Sequence, residues 1–347
     1  MNRGSEDGFV LVTVIWFIAL IALAATIMSG WVSDSLQRAT ALKDRVTAER
    51  DMISATDQVA YLITNSYFTT AGLITTNGAD AKIAVSPLGF MPTKNSHAFL
   101  IDGRPYRFGS GAIALQDGRG LYNLVTIDDY TFRHLVGYFG ITPQESSGLL
   151  DKLQDYQDKN GAVQHLNGAN RDAYVRAGRP PPRNARLITP WETYRVMGWD
   201  AYPALWSGPD TFADLTDVTP DNSGFNPNTA PAAVLATLPG IDQSGIDKIL
   251  RVRQTAPISS LMQLENLTGS VIPLDPFSIT ALPGSTLRAE LAFPESPLTR
   301  VIFFSLPPVG KAPYRIEYAV DVPQKAPLRI ALGSSGLPQF PVFGPVP

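Results

Sequence analysis

The sequence predicts an α+β protein in which a long amino-terminal helix packs on an antiparallel sheet and a mainly helical block is inserted into that sheet. Three observations predict it. An apolar run from Phe9 to Val32 carries no charge and passes without proline into an amphipathic stretch reaching about Tyr67. Strand-like segments flank the middle of the chain, at Ser96–Asp102, Pro105–Gln116 and Asp117–Val125, then at Arg300–Leu306, Tyr314–Val322 and Leu328–Leu332. Between them, residues from about Ile127 to Arg288 carry helical spacing and helix-start signals.

The apolar run has 24 residues, and about 20 suffice to cross the hydrocarbon core of a bilayer. Two other readings fit an apolar segment: a buried core helix, or a secretory signal with Ser29-Gly30 as its small-residue cleavage site. Past the run, Val32, Ala39, Val46, Ile53 and Ala60 recur every seven residues and stay near one helical face. Arg38, Lys43, Asp44, Arg45, Arg50 and Asp51 fall largely elsewhere. A continuous helix from Phe9 to about Tyr67 is roughly 85–90 Å long. Arg38, Lys43, Arg45 and Arg50 follow the span and only Arg3 precedes it, so the positive-inside rule alone keeps the carboxyl side in the cytoplasm.

The chain has 347 residues, Lys+Arg 28 against Asp+Glu 31, and no cysteine. That length can bury a real core. The net charge of -3 gives no general attraction to nucleic acid. Without cysteine there are no disulfides and no thiolate metal sites. With 28 Gly and 29 Pro, turns and irregular connections are expected to be frequent.

Within the helical block, Thr142-Pro143-Gln144-Glu145 reads as a capped helix start, with proline in the first turn. Pro180–Pro182 interrupts, and Ala185–Asp200 resembles the segment of the general secretion pathway protein K family where a loop enters a helix. Phe225–Ile241 contains Asn-Pro-Asn-Thr-Ala-Pro, which reads as a second capped start. Thr229–Leu267 has the outline of a helix-hairpin-helix: one helix ends at Leu238-Pro239-Gly240-Ile241, a second runs Ser244–Arg253, and a third starts within Ser259–Leu267. DNA-binding hairpins offer backbone N–H groups to a phosphate. Here Asp242 follows Gly240-Ile241 and Asp247 lies among Lys248, Arg251 and Arg253. A packing hairpin that buries Leu235, Leu238, Ile241, Ile246, Ile249 and Leu250 is the expectation, with a membrane-anchored DNA binder as its rival.

Nothing argues for an enzyme. His97, His134 and His165 lack the spacing of a zinc site, and Gly109–Gly118 lacks the lysine and the strand-to-helix context of a phosphate loop. One segment is rich in oxygen ligands: Asp155, Asp158 and Asn160 precede Gly161, and Asp172 follows. It can be a polar turn at a helix end or part of a calcium site.

Gly8-Phe9, placed before the apolar run, resembles a prepilin peptidase site of type IV pilins. Thr13, the fifth residue after that junction, stands where most pilins carry glutamate. The order of segments, with Asn226–Ile241 as its most specific part, resembles the minor pseudopilin family of general secretion pathway protein K, in the type II secretion system. The resemblance implies cleavage between Gly8 and Phe9, methylation of the new amino terminus, and an amino terminus on the cytoplasmic side. It implies a single-pass inner-membrane protein with a periplasmic head, at the tip of a pseudopilus that supports protein export. The domains expected are a leader 1–8, a membrane helix 9–32, a pilin-like α/β part 33–126, an inserted helical domain 127–288 and closing strands 289–347. The partners implied are other minor pseudopilins, the major pseudopilin, prepilin peptidase and the inner membrane, with no nucleic acid. Thr13 would lie at the subunit contact in the membrane. The family's helical domain binds calcium, which favours a structural ion near Asp155, Asp158, Asn160 and Asp172.

Overall fold

The computed structural model describes residues 7–70, 72–75, 98–220, 224–274, 278–307 and 312–341. Leader residues 1–6, most of Thr70–Thr93, and Ser96 and His97 lie outside them.

The amino-terminal helix, α1, is unbroken over Asp7–Thr64, about 87 Å at 1.5 Å per residue. Its carboxyl end stops a little short of the expected Tyr67, because Ser66–Thr69 turns into strand β1, which pairs with β2 (Gly72–Thr75). Only the last third of α1 is packed. Met52, Ala55, Val59, Leu62 and Ile63 are buried, recurring at intervals of three and four that keep them on one face. They close one core with Ile113, Leu115, Leu287, Leu291, Ile302 and Phe304 of the sheet. The expected seven-residue stripe is a different line. Of its members only Ala60 is buried, while Val46 is 68% and Ile53 54% exposed.

The main sheet has β3 (Asp102–Phe108), β4 (Gly111–Asp117), β7 (Thr286–Ala292), β8 (Leu298–Ser305) and β9 (Arg315–Pro323), in that order and antiparallel throughout. The chain leaves the sheet after β4 and returns in β7, its hydrogen-bonded neighbour, where Asp117 stands opposite Leu287. Everything between is an excursion from one strand junction. Strand β7 begins at Thr286, slightly ahead of the expected boundary at 288/289.

The excursion carries β5 (Tyr122–Asn123), α2 (Asp129–Gly137), α3 (Pro143–Gln157), α4 (Arg171–Arg176), α5 (Phe212–Leu215), β6 (Thr216–Asp217), α6 (Ala232–Ala236), α7 (Gln243–Val252) and α8 (Leu261–Thr268). Its core gathers Phe132, Leu135, Leu149, Tyr156, Trp199 and Phe212, and extends to Phe303 and Tyr318 on the sheet. Trp199 is fully buried, and its indole N–H donates to the Leu149 carbonyl at 3.1 Å. The α3 cap is as the sequence indicates: Thr142 and Glu145 form a reciprocal capping box, with Pro143 in the first turn. Ala185–Asp200 forms 3-10 turns at Pro190–Arg195 and Trp199–Ala201 rather than an α-helix.

Leu328–Leu332 is not a strand. It lies in α9 (Ala326–Gly333), capped at Lys325 with proline in its first turn. Leu328 and Leu332 share a helical face and pack over the small side chains Ala112, Ala114 and Ala292. Ile330, on the other side, is 72% exposed. A short apolar run carries both periodicities, and the alanine-lined sheet surface selects the helix.

The Asn-Pro-Asn-Thr segment also departs from expectation. Helix α6 starts later, at Ala232, with Pro231 in the cap position. The polar side chains instead fasten the excursion to its root. Asp117 is fully buried. One of its carboxylate oxygens accepts from the amides of Gly284 (2.8 Å) and Arg119 (3.2 Å), the other from Thr229 Oγ1 (2.7 Å) and Asn226 Nδ2 (3.1 Å). Burial pushes this carboxyl up, and the four donors work against that shift. Asn228 carries the fastening onward, accepting from the Ile258 amide at 2.7 Å and donating to its carbonyl at 2.9 Å. Asp117→Ala strands these donors, and we expect a loss of about 3 kcal/mol or more in chemical denaturation. A loss under about 1 kcal/mol would contradict the role given to this carboxylate.

Candidate functional sites on the long helix and in the acidic loop

Among the described residues, the apolar half of α1 is exposed. Its most apolar window has a mean hydropathy of 2.6 and none of it is buried. Ile21 is 67% and Trp31 70% exposed. A core helix is thereby excluded, since its side chains would face protein. An apolar surface of this extent in water would be far outside the range of soluble proteins, and lipid is the solvent that suits it. Gly8 and Phe9 fall in the first turns of α1. Thr13 lies a turn further on, partly exposed, inside the apolar segment.

Beyond the span, one side of α1 borders a groove. Ile53, Thr56 and Asp57 line it with Arg300, Ile302 and Ile316. Arg300 holds its rim, meeting Glu49 at 2.7 Å and Asp321 at 2.9 Å. The hydrogen bond from Arg300 holds the Glu49 carboxyl below its ordinary value, against the opposing effect of burial.

The acidic segment forms a tied loop at the carboxyl end of α3. Asp155 is buried, and its Oδ1 meets His165 Nδ1 at 2.7 Å and accepts from the Gln164 amide at 3.2 Å. Its Oδ2 is buried with no hydrogen-bond partner. Gly168 makes room for that oxygen, because a Cβ there would come within 1.7 Å of it. Asp158 accepts from the Gln164 side chain and from the Asn160 amide. Asp155, Asp158 and Asn160 therefore belong to one loop. Asp172 sits on the exposed first turn of α4. Among the described residues no three carboxylate or imidazole groups gather as a metal cluster. An ion here would draw on backbone and amide oxygens as well, which suits calcium better than zinc. The unpartnered Oδ2 fits a cation.

The helix-hairpin-helix outline is present in α6, α7 and α8, but its anion position is taken. Asp242 caps α7, and its carboxylate accepts from the Gly245 amide at 2.7 Å, where a phosphate would sit in a DNA binder. Arg253 turns inward to the Ala230 carbonyl at 2.6 Å and to Asp102 at 3.3 Å. Two of the three basic residues in the motif, Lys248 and Arg251, remain at the surface. His134 points its Nδ1 at the Tyr130 carbonyl (2.8 Å), within its own helix.

Sequence reasoning missed Asp117 and the buried roles of Asn226, Asn228 and Thr229. The available signal was four polar residues in segments otherwise rich in apolar ones, which read equally well as caps.

No protein-family model and no curated protein matches this sequence. A structural match is found with a chain of "The Crystal Structure of the GspK-GspI-GspJ complex from enterotoxigenic Escherichia coli Type 2 Secretion System". The two are 16% identical and superpose with a TM-score of 0.50, over 84% of this chain and 99% of that one. The match shows a shared α+β fold: this chain is built like a subunit of that complex.

Proposed function

We propose that this chain is a minor pseudopilin of a type II secretion system, a structural and non-enzymatic subunit at the tip of a periplasmic pseudopilus that supports protein export. The observation that carries the reading is the combination of a lipid-suited half of α1 with a head built like a subunit of the GspK-GspI-GspJ complex. In this reading the chain is anchored once in the inner membrane, with the head in the periplasm. Thr13 supports the tip position. A shaft subunit uses a carboxylate there to meet the amine of the next subunit outward. A subunit with none further out has no amine to meet, and an uncharged side chain avoids a costly charge in lipid. The bulk of the excursion also suits an end better than a crowded shaft. The partners would be two other minor pseudopilins, packed along the outer half of α1, where Val46 and Ile53 are exposed beside the Arg300 groove. The major pseudopilin would lie beneath them. A DNA-binding role is disfavoured by Asp242.

The full chain should co-purify with the minor pseudopilins of its own system and leave DNA unretarded at physiological salt. Salt-sensitive DNA binding without a protein partner would overturn the reading. Ile53→Asp should weaken the complex without unfolding the head.

Prepilin peptidase would cut between Gly8 and Phe9, and Phe9 would become the methylated amino terminus. Sequencing the membrane-extracted protein should start at Phe9. A start after residue 28 would instead mean a secretory signal.

Asp155, Asp158 and Asn160, with Asp172, would take part in holding a structural calcium ion that stabilises the excursion by binding only its folded form. At an ion concentration a hundredfold above Kd the gain is about 2.7 kcal/mol. The unfolding midpoint should rise with calcium and fall with chelator, and Asp155→Asn should remove the difference. Identical midpoints would contradict the site.

A further inference from the structure

The sheet and the excursion meet along a cleft of about 490 Å³. Its apolar wall includes Leu100, Ala256 and Pro257, and its charged residues are Asp102, Arg104 and Arg253. Asp102 and Arg104 belong to β3, while Arg253 caps the carboxyl end of α7. Both guanidinium groups reach Oδ2 of Asp102, Arg104 at 2.8 Å and Arg253 at 3.3 Å. Arg104 also donates to Oδ1 through Nε, at 2.8 Å. The cleft therefore holds two positive charges against one negative charge. Burial lowers the Arg253 guanidinium from its ordinary value; Asp102 opposes that shift and the charge of Arg104 adds to it. The end of α7 does not answer the excess charge, because the Val252 carbonyl already accepts from the amides of Thr255 (2.8 Å) and Ala256 (2.9 Å).

The two arginines differ in what they can offer. Arg253 is nearly buried and tied to the Ala230 carbonyl through Nη1 at 2.6 Å. The Arg104 side chain is 39% exposed. Its Nε and Nη2 are given to Asp102, and its Nη1 makes no hydrogen bond among the described residues. A planar guanidinium with one excess charge behind it suits a planar monoanion, and a carboxylate has that shape and charge. A phosphate group carries more negative charge at neutral pH than the cleft offsets. The volume is larger than a carboxylate alone fills and falls within the range of small-ligand pockets, and the apolar wall suits an aliphatic body beside the charge.

We propose that this cleft binds a monocarboxylate bearing an aliphatic body, with Arg104 donating to its carboxylate. Two sources supply that chemistry, the carboxyl terminus of a polypeptide and a free aliphatic acid. The site does not rest on the tip reading. The test is calorimetric titration of the full chain, in micelles of a neutral detergent, with N-acetyl-leucine and with isocaproate, each beside its carboxamide, and with inorganic phosphate. At least one acid should bind, and the tighter of the two names the source. Its carboxamide should bind about tenfold more weakly or worse, and high salt should weaken the acid. The bound acid should raise the unfolding midpoint, since the cleft joins sheet to excursion. Arg104→Gln should lower the affinity about tenfold with an unchanged circular dichroism spectrum, whereas Arg251→Gln, exposed on α7 outside the cleft, should leave it as in the wild type. The comparison of acid with carboxamide is made on the wild type and depends on no variant folding. Binding of neither acid, a carboxamide as tight as its acid, phosphate tighter than both acids, or wild-type affinity in a folded Arg104→Gln would overturn the proposal.

Discussion

One helix must satisfy two solvents, and the rest of the structure follows from that. The amino-terminal part of α1 is apolar on all sides and exposed; the last third is apolar on one side and seals the sheet. No turn or proline separates the two regimes, so a rigid rod joins the lipid-suited segment to the head. The head cannot reorient freely about its anchor, because the residues that would have to hinge are in a continuous hydrogen-bonded helix.

The second constraint is the root of the excursion. Strands β4 and β7 are adjacent, so the sheet is complete without the long segment between them. Such an insertion would swing on its two connections were it not fastened. Asp117, the last residue of β4, fastens both: it accepts from Arg119 on the outgoing strand end, Gly284 on the returning one, and Asn226 and Thr229 within the block. Arg288 adds a second tie from β7, donating to the Asp214 carbonyl at 2.8 Å. Asp102 and Arg253 make a third, between β3 and the end of α7. Burial works to raise the Asp102 carboxyl, but the hydrogen bond from Arg104 and the charges of Arg104 and Arg253 prevail and hold it below its ordinary value.

Much of this was legible in the sequence where a single period or cap dominates. The charge-free run announces α1, Thr142 with Pro143 and Glu145 announces α3, and the alternation in β8 and β9 announces the closing strands. Other features were decided by tertiary contact. The buried line of α1 is set by where the sheet lies, which is why Met52 and Val59 are inside while Val46 and Ile53 are out. Helix α9 forms where a strand was equally readable, because alanines leave a shallow surface that a helix can cover. Asn226 and Thr229 look like capping residues until their partner Asp117, more than a hundred positions away, comes into place. The candidate calcium segment was readable as a cluster of oxygen ligands, but the unpartnered Asp155 Oδ2 needed the fold.

The central claim is that α1 crosses a bilayer and emerges with the head on the far side. The absence of cysteine allows a direct measurement with single-cysteine variants, Ile21→Cys and Gln37→Cys, exposed to a membrane-impermeant maleimide in spheroplasts. The account predicts that position 37 is labelled at once and that position 21 is labelled only after detergent is added. Labelling of position 21 without detergent, or protection of position 37 until the membrane is dissolved, would contradict it.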